Sequence, residues 1–160
     1  MHRLALTVIF YSISITLCVA ADFRRYENDR FSYTIDVPSD FKTVLNPDNG
    51  DGIGLHSADD SAQLLIWGNN LTQGGFLVES DLRRGYAIDA GFRFTYERRG
   101  ATWASLSGRK GEKIIYMRQI LLCDAAMGNF TLEYPAAQQK RFEPVIDRMV
   151  KTLKPHKPCA

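Results

Sequence analysis

From residue 31 onward the chain is built on alternation. Phe31, Tyr33, Ile35 and Val37 alternate with Ser32, Thr34 and Asp36, the two-residue period of a strand with one buried face. Pro38-Ser39-Asp40 stops it, and residues 41–45 predict a short second strand broken at Asn46-Pro47. Residues 53–57 and 62–68 predict a hairpin, because the Asp and Ser side chains of Ala58-Asp59-Asp60-Ser61 bond to nearby backbone and favour a turn. Leu64 and Ile66 point one way, Gln63, Leu65 and Trp67 the other, and Gly68-Asn69-Asn70 ends that strand.

The period then lengthens. Residues 77–90 predict a helix whose inner stripe is Val78, Leu82 and Tyr86, with acids early, arginines later and Gly91 in the place of a left-handed cap. Gly85 weakens it. Alternation returns over 92–97, 102–107, 112–123 and 130–134, with turns at Gly108-Arg109-Lys110-Gly111 and Met127-Gly128-Asn129. Residues 136–153 predict a second helix with Phe142, Val145, Ile146, Met149, Val150 and Leu153 on one stripe and Pro144 as a kink or new first turn. Hairpin-type links dominate, so the expected fold is α+β: a mostly antiparallel sheet with two main helices packed on it.

The first residues follow another rule. Arg3 precedes an uncharged apolar run over 4–19 that ends in Val19-Ala20-Ala21, the pattern of a secretory signal peptide cleaved near Ala20 or Ala21. The alternatives are a membrane anchor, for which the run is short and diluted by Ser and Thr, and a lipoprotein on Cys18, for which Leu17 is too large. The expected organisation is a signal peptide over 1–21, an N-terminal extension over 22–30, one domain over 31–154 and a tail over 155–160. No stable membrane span is expected after cleavage.

Export changes the reading of cysteine. Cleavage leaves Cys123 and Cys159, and two cysteines in an exported chain predict one disulfide, with two unrelated thiols as the alternative. The sequons Asn70-Leu71-Thr72 and Asn129-Phe130-Thr131 matter only in a eukaryotic secretory pathway. Apolar residues make up 45% and charged residues 24% of the 160, so the mature chain suffices for one packed core. The formal charge of +2 is spread among acids, which argues against nucleic acid, as export does for the aromatic and arginine run 92–99.

Candidate chemistry is sparse. The stretch PDNGDGIGLHSADD, residues 47–60, holds four aspartates. Read as an EF-hand loop with Gly52 at the sixth position, it puts Pro47 and Ala58 where the first and last acids belong, and a strand follows. A calcium site made by folding Asp48, Asp51, Asp59 and Asp60 together is the alternative to a plain turn in which Asn49-Gly50-Asp51-Gly52 tolerates positive φ. His56 and Ser57 are strand neighbours with opposed side chains, so they cannot form a nucleophile pair. Ser107-Gly108 resembles part of a nucleophile elbow without its first glycine or its helix, and reads as turn chemistry. HExxH, CxxC and phosphate-loop motifs are absent, and no cofactor, metal or catalytic residue is assigned.

One resemblance organises these pieces. The run FSYTIDVP, residues 31–38, with Phe41 behind it resembles the first strand of PsbP-like domains. So do the Asn49-Gly50-Asp51-Gly52 turn, the hairpin through Asp59-Asp60, the helix leading to Phe94-Thr95-Tyr96, then Trp103, Ser107-Gly108, Tyr116, Tyr134-Pro135 and the closing FEPVIDRMV, residues 142–150. The resemblance spans residues 31–154 and is similar to that of small exported bacterial proteins of this fold, whose family includes the extrinsic photosystem II protein and a Ran-binding import factor. It implies an α/β/α sandwich and an accessory binding role without catalysis, and it carries no site residue over. The expectation is an exported, periplasmic protein that binds an unidentified protein partner. The alternatives are a small-molecule or metal-ion binder near Trp67 and residues 48–60, an extracellular or envelope-anchored location, and a hydrolase using His56.

Overall fold

The computed structural model describes residues 22–123 and 125–156. In chain order they form β1 (Phe23–Asn28), β2 (Tyr33–Pro38), β3 (Lys42–Leu45), β4 (Gly52–His56), β5 (Gln63–Asn70), α1 (Phe76–Asp89), β6 (Arg93–Arg99), β7 (Trp103–Lys110), β8 (Lys113–Leu121), β9 (Ala126–Pro135), a 3-10 turn (Ala136–Gln138), α2 (Gln139–Thr152) and β10 (Lys154–Pro155). Seven strands make one antiparallel sheet in the order β3-β4-β5-β9-β8-β7-β6, and β1-β2-β10 make a smaller one. The chain is the α+β fold that its alternation predicts.

Each face of the large sheet has its own core. On one side α2 and β2 bring Phe142, Val145, Ile146 and Met149 together with Tyr33, Ile35 and Val37, over Leu64, Ile66, Phe130 and Leu132. On the other side α1 brings Phe76 and Ala87 onto Ala104, Leu106, Ile115, Met117 and Met127. The buried Asp36 pins α2 to β2: its carboxylate accepts from Arg148 on α2 and Arg25 on β1, and its N–H donates to the Thr152 hydroxyl at 3.0 Å. α2 runs unbroken through Pro144, which removes a single helix N–H.

Tertiary pairing overrides local turn preference at several points. The segment expected as an N-terminal extension, 22–30, contains β1, which pairs with β2 along its whole length. Met127, Gly128 and Asn129 lie inside β9, not in a turn: Met127 is fully buried, and the Asn129 amide donates to the Trp67 carbonyl and to Asn69. Ser107 and Gly108 likewise lie inside β7, opposite a bulge at Thr95, and the hairpin turns three residues after Gly108, at Gly111, with φ of 56°. Gly108 fits there because a Cβ would stand 2.6 Å from the Arg93 carbonyl oxygen.

α1 starts and ends one residue earlier than expected and turns the other way. Val78 and Tyr86, read as the inner stripe, are 49% and 55% exposed, while Glu79 and Ser80 are buried. The sheet beneath explains it, since β8 offers the buried amide of Gln119. Ser80 donates to Gln119 Oε1 at 2.5 Å, and Glu79 collects the N–H groups of Thr72 and Gln73. Polar groups without water need such partners more than Val78 or Tyr86 needs burial.

Candidate functional site

Register builds a cleft at the β6 end of the sheet. Tyr96 lies opposite Ser107, and Ser107 opposite Tyr116; Arg109 lies opposite Ile114, and Ile114 opposite Tyr134. Cross-strand partners point to one face, so all six side chains look toward the α2 side. α2 packs mainly over β2, β8 and β9, and reaches β7 through Gln139 beside Arg109. The result is an open cleft of about 560 Å³, with Thr95, Tyr96, Ser107 and Arg109 on one wall and Gln139, Glu143 and Asp147 of α2 on the other. Tyr116, Tyr134, Ile114 and Ile146 line the space between them.

The cleft offers aromatic, hydrogen-bonding and charged side chains. Burial pushes the Tyr116 phenol above its ordinary range despite a hydrogen bond with Ser105, and burial raises Tyr134 as well. Both phenols are neutral at physiological pH, serving as hydrogen-bonding aromatic surfaces and not as bases. Arg109 donates to Gln139 Oε1 at 3.2 Å across the cleft, and Gln139 donates to Glu143 at 3.1 Å. Behind Tyr116, Arg118 lies over the Trp103 ring at 4.8 Å and donates to the Ser105 hydroxyl at 2.9 Å. Burial lowers the Arg118 pKa, and its Nε has no partner among the described residues.

The residues singled out from sequence do not gather. The aspartates of 47–60 go separate ways: Asp51 pairs with Arg30 at 2.9 Å, and Asp59 pairs with Arg141 of α2 at 2.8 Å. Hydrogen bonds from Ser57, Arg141 and Ser61 hold the Asp59 carboxyl well below the usual range. Among the described residues no three His, Cys, Asp or Glu side chains cluster as metal ligands do. Gly50 takes the expected positive φ, 69°. His56 lies 3.6 Å from Asp60, while the buried Ser57 hydroxyl donates to Asp59 and accepts from the Ala62 N–H, so it is committed to its own turn.

Of Trp67, Trp103 and Tyr96, only Tyr96 lines the cleft. Trp103 shares its face of the sheet, whereas Trp67 faces the α1 side, where it and Leu65, Leu45 and Pro47 border an apolar hollow of about 200 Å³. Asn129 is fully buried, so the second sequon is closed to modification in the folded chain, while Asn70 is exposed. Cys159 and residues 1–21 lie outside the described residues. Sequence reading missed Tyr116, Tyr134, Arg109, Glu143 and Asp147 as a group. Three strands and a helix supply them, and only the register joins them.

No family model and no curated protein sequence matches the chain. Solved structures do. The solution structure of cyanobacterial PsbP (CyanoP) from Synechocystis sp. PCC 6803 is similar with a TM-score of 0.64 at 11% identity, covering 89% of this chain and 97% of that one. The Ran-binding protein Mog1p of Saccharomyces cerevisiae is similar with a TM-score of 0.62 at 11% identity, covering 86% and 97%. Identity this low speaks for fold alone, and the chain has the PsbP-like fold that its sequence resembles.

Proposed function

We propose that this chain is an exported, non-catalytic binding protein of the periplasm or cell envelope, and that the cleft between α2 and β6–β8 receives a segment of a protein partner. One observation carries the reading: three tyrosines, Tyr96, Tyr116 and Tyr134, share an open cleft with Arg109, Glu143 and Asp147. Tyrosine gives large contact area at low entropic cost, and the mixed charges give a partner segment its register. Support for a binding role also comes from Mog1p, a Ran-binding protein of the same fold. Cleavage near Ala20 or Ala21 and a Cys123–Cys159 disulfide belong to the same proposal, since both follow from export.

The test is site-specific photocrosslinking in cells, with the photoreactive residue at Ser107. A crosslinked protein that disappears on Tyr96→Ala plus Tyr116→Ala is the expected result. No adduct, or one indifferent to that pair, refutes the cleft as the binding site. A second reading, a small-molecule binder, rests on the apolar hollow beside Trp67. It expects a co-purifying ligand in the native mass spectrum and a melting transition that rises when the ligand is added.

A further inference from the structure

We infer that Arg118 and Arg98 hold an oxyanion over Ser105, on the sheet face just beyond the cleft. Arg118 is half-buried on β8, yet no carboxylate of the described residues pairs with it. Its Nη1 donates to the Ser105 hydroxyl at 2.9 Å, while the buried Nε and the Nη2 find no acceptor among the described residues. The Trp103 ring lies 4.8 Å from the guanidinium and steadies it from one side, but a ring face takes none of its in-plane N–H bonds. A charge drawn from water without a counter-charge costs the fold stability, and burial lowers the Arg118 pKa accordingly. Nε is closed off, so Nη2 and the second hydrogen of Nη1 are the donors left to an incoming group. Side by side on a planar guanidinium, they match two oxygens of one anion.

The register supplies the second cation. Arg98 of β6 lies opposite Ser105 of β7, and Ser105 opposite Arg118 of β8, so two arginines flank one small, buried hydroxyl on a single face. The neighbours of Arg98 show what this face lacks. Glu97 and Arg99 point to the α1 side and pair there with Arg84 and Asp81. Arg98, on the α2 side, has no such partner among the described residues. Arg109 shares that side and bonds to the neutral Gln139, and the cleft acids Glu143 and Asp147 of α2 pair with none of these arginines. Positive charge left unneutralised around a hydroxyl selects a negative occupant. Hydroxyl donors stand one pairing step nearer the cleft, at Tyr96 and at Tyr116, whose phenol bonds with Ser105. One oxyanion group fills the site, whether a free phosphate or the carboxylate of an acidic side chain. The site rests on the surroundings of Arg118, so it stands whether or not the cleft receives a partner segment.

The experiment is a heteronuclear NMR titration of the purified mature chain, read at the Arg118 Nε–H resonance, which Arg118→Lys removes and so assigns. Inorganic phosphate and propionate are the probes, and sodium chloride at matched ionic strength is the control. A saturable shift with phosphate or propionate, absent with chloride, is the expected result. Arg98→Ala, an exposed substitution, is expected to weaken that binding about tenfold while the amide spectrum stays that of the folded chain. Tighter binding of phosphate supports the site with a free phosphate as its ligand, and tighter binding of propionate supports it with an acidic side chain. No saturable shift with either anion, a shift that chloride reproduces, or indifference to Arg98→Ala overturns the inference. The photocrosslink at Ser107 is read separately: its loss leaves the anion titration as it stands, and a failed titration leaves the crosslink.

Discussion

Replacing Glu79 by glutamine tests the account of α1 at its weakest support. The helix begins after Gly74 and Gly75, with φ of 110° and 126°, and its N-cap glycine has no side chain to hold the first turn. Glu79 does that work from inside the turn. Its carboxylate, almost fully buried, accepts from the N–H of Thr72 at 2.9 Å, the N–H of Gln73 at 3.1 Å and the Thr72 hydroxyl at 3.2 Å, with Arg83 at 3.9 Å. Glutamine keeps an acceptor but loses the charge, and charge-assisted bonds are worth about twice neutral ones, so the loss is about 1–2 kcal/mol. In urea this lowers the midpoint by roughly 1 M for a chain of this size. The pH dependence is the sharper part. Burial pushes the Glu79 carboxyl up, but the Thr72 and Gln73 donors and Arg83 outweigh it, so its pKa in the folded chain lies below the ordinary value. The stabilisation is therefore complete above the unfolded pKa of about 4.3 and fades as pH falls through the folded value. Parent and Glu79→Gln should differ at neutral pH and converge in acid, as urea melts by circular dichroism would record. A gap that persists unchanged in acid, or no gap at neutral pH, would refute the role given to the charge.

Other substitutions probe the rest of the frame. Gly52→Ala places a Cβ 1.9 Å from the Ile66 carbonyl oxygen and should cost at least about 3 kcal/mol in chemical melts, because backbone must move. Phe142→Ala empties the space between Tyr134, 4.8 Å away, and Phe41, 6.4 Å away, and should cost about 3–5 kcal/mol by the same measurement. Gly85→Ala should instead raise stability by about 1 kcal/mol, and a fall would mean that the chain itself needs the glycine. Cys123→Ser should lower stability by about 3 kcal/mol under oxidising conditions and leave the reduced protein unchanged; a denatured mass without the loss of two hydrogen atoms would remove the disulfide from the proposal.

Sequence resolved this fold where one residue's neighbours along the chain decide its place. The alternation of Gln63 to Trp67 and the stripe of Phe142, Val145, Ile146 and Met149 each name a buried face without outside help, and both lie as read, whereas Tyr33 to Val37 form the expected strand but bury Thr34 and Asp36 of its polar face as well. It failed where the deciding partner is remote. Met127-Gly128-Asn129 has the composition of a turn, yet Asn129 finds Trp67 and Asn69 on a strand sixty residues away. Phe23 to Asn28 has little alternation of its own, and β2 gives it strand structure by pairing. The cleft is the extreme case, because Tyr96, Tyr116 and Tyr134 become neighbours only through the stacking of β6, β7, β8 and β9.

α1 is a failure of the same kind. A binary reading places Val78, Leu82 and Tyr86 inside, because apolar residues at helical spacing normally face a core. Here the core beneath the helix is partly polar. Gln119 stands buried on β8, and a helix presenting only methyl groups would leave its Oε1 without a partner. Ser80 supplies Gln119, and Glu79 turns inward to hold the loop that carries the chain from β5. Once Glu79, Ser80, Arg83 and Ala87 occupy the inner face, the geometry of 3.6 residues per turn sends Leu77, Val78, Tyr86 and Ile88 out.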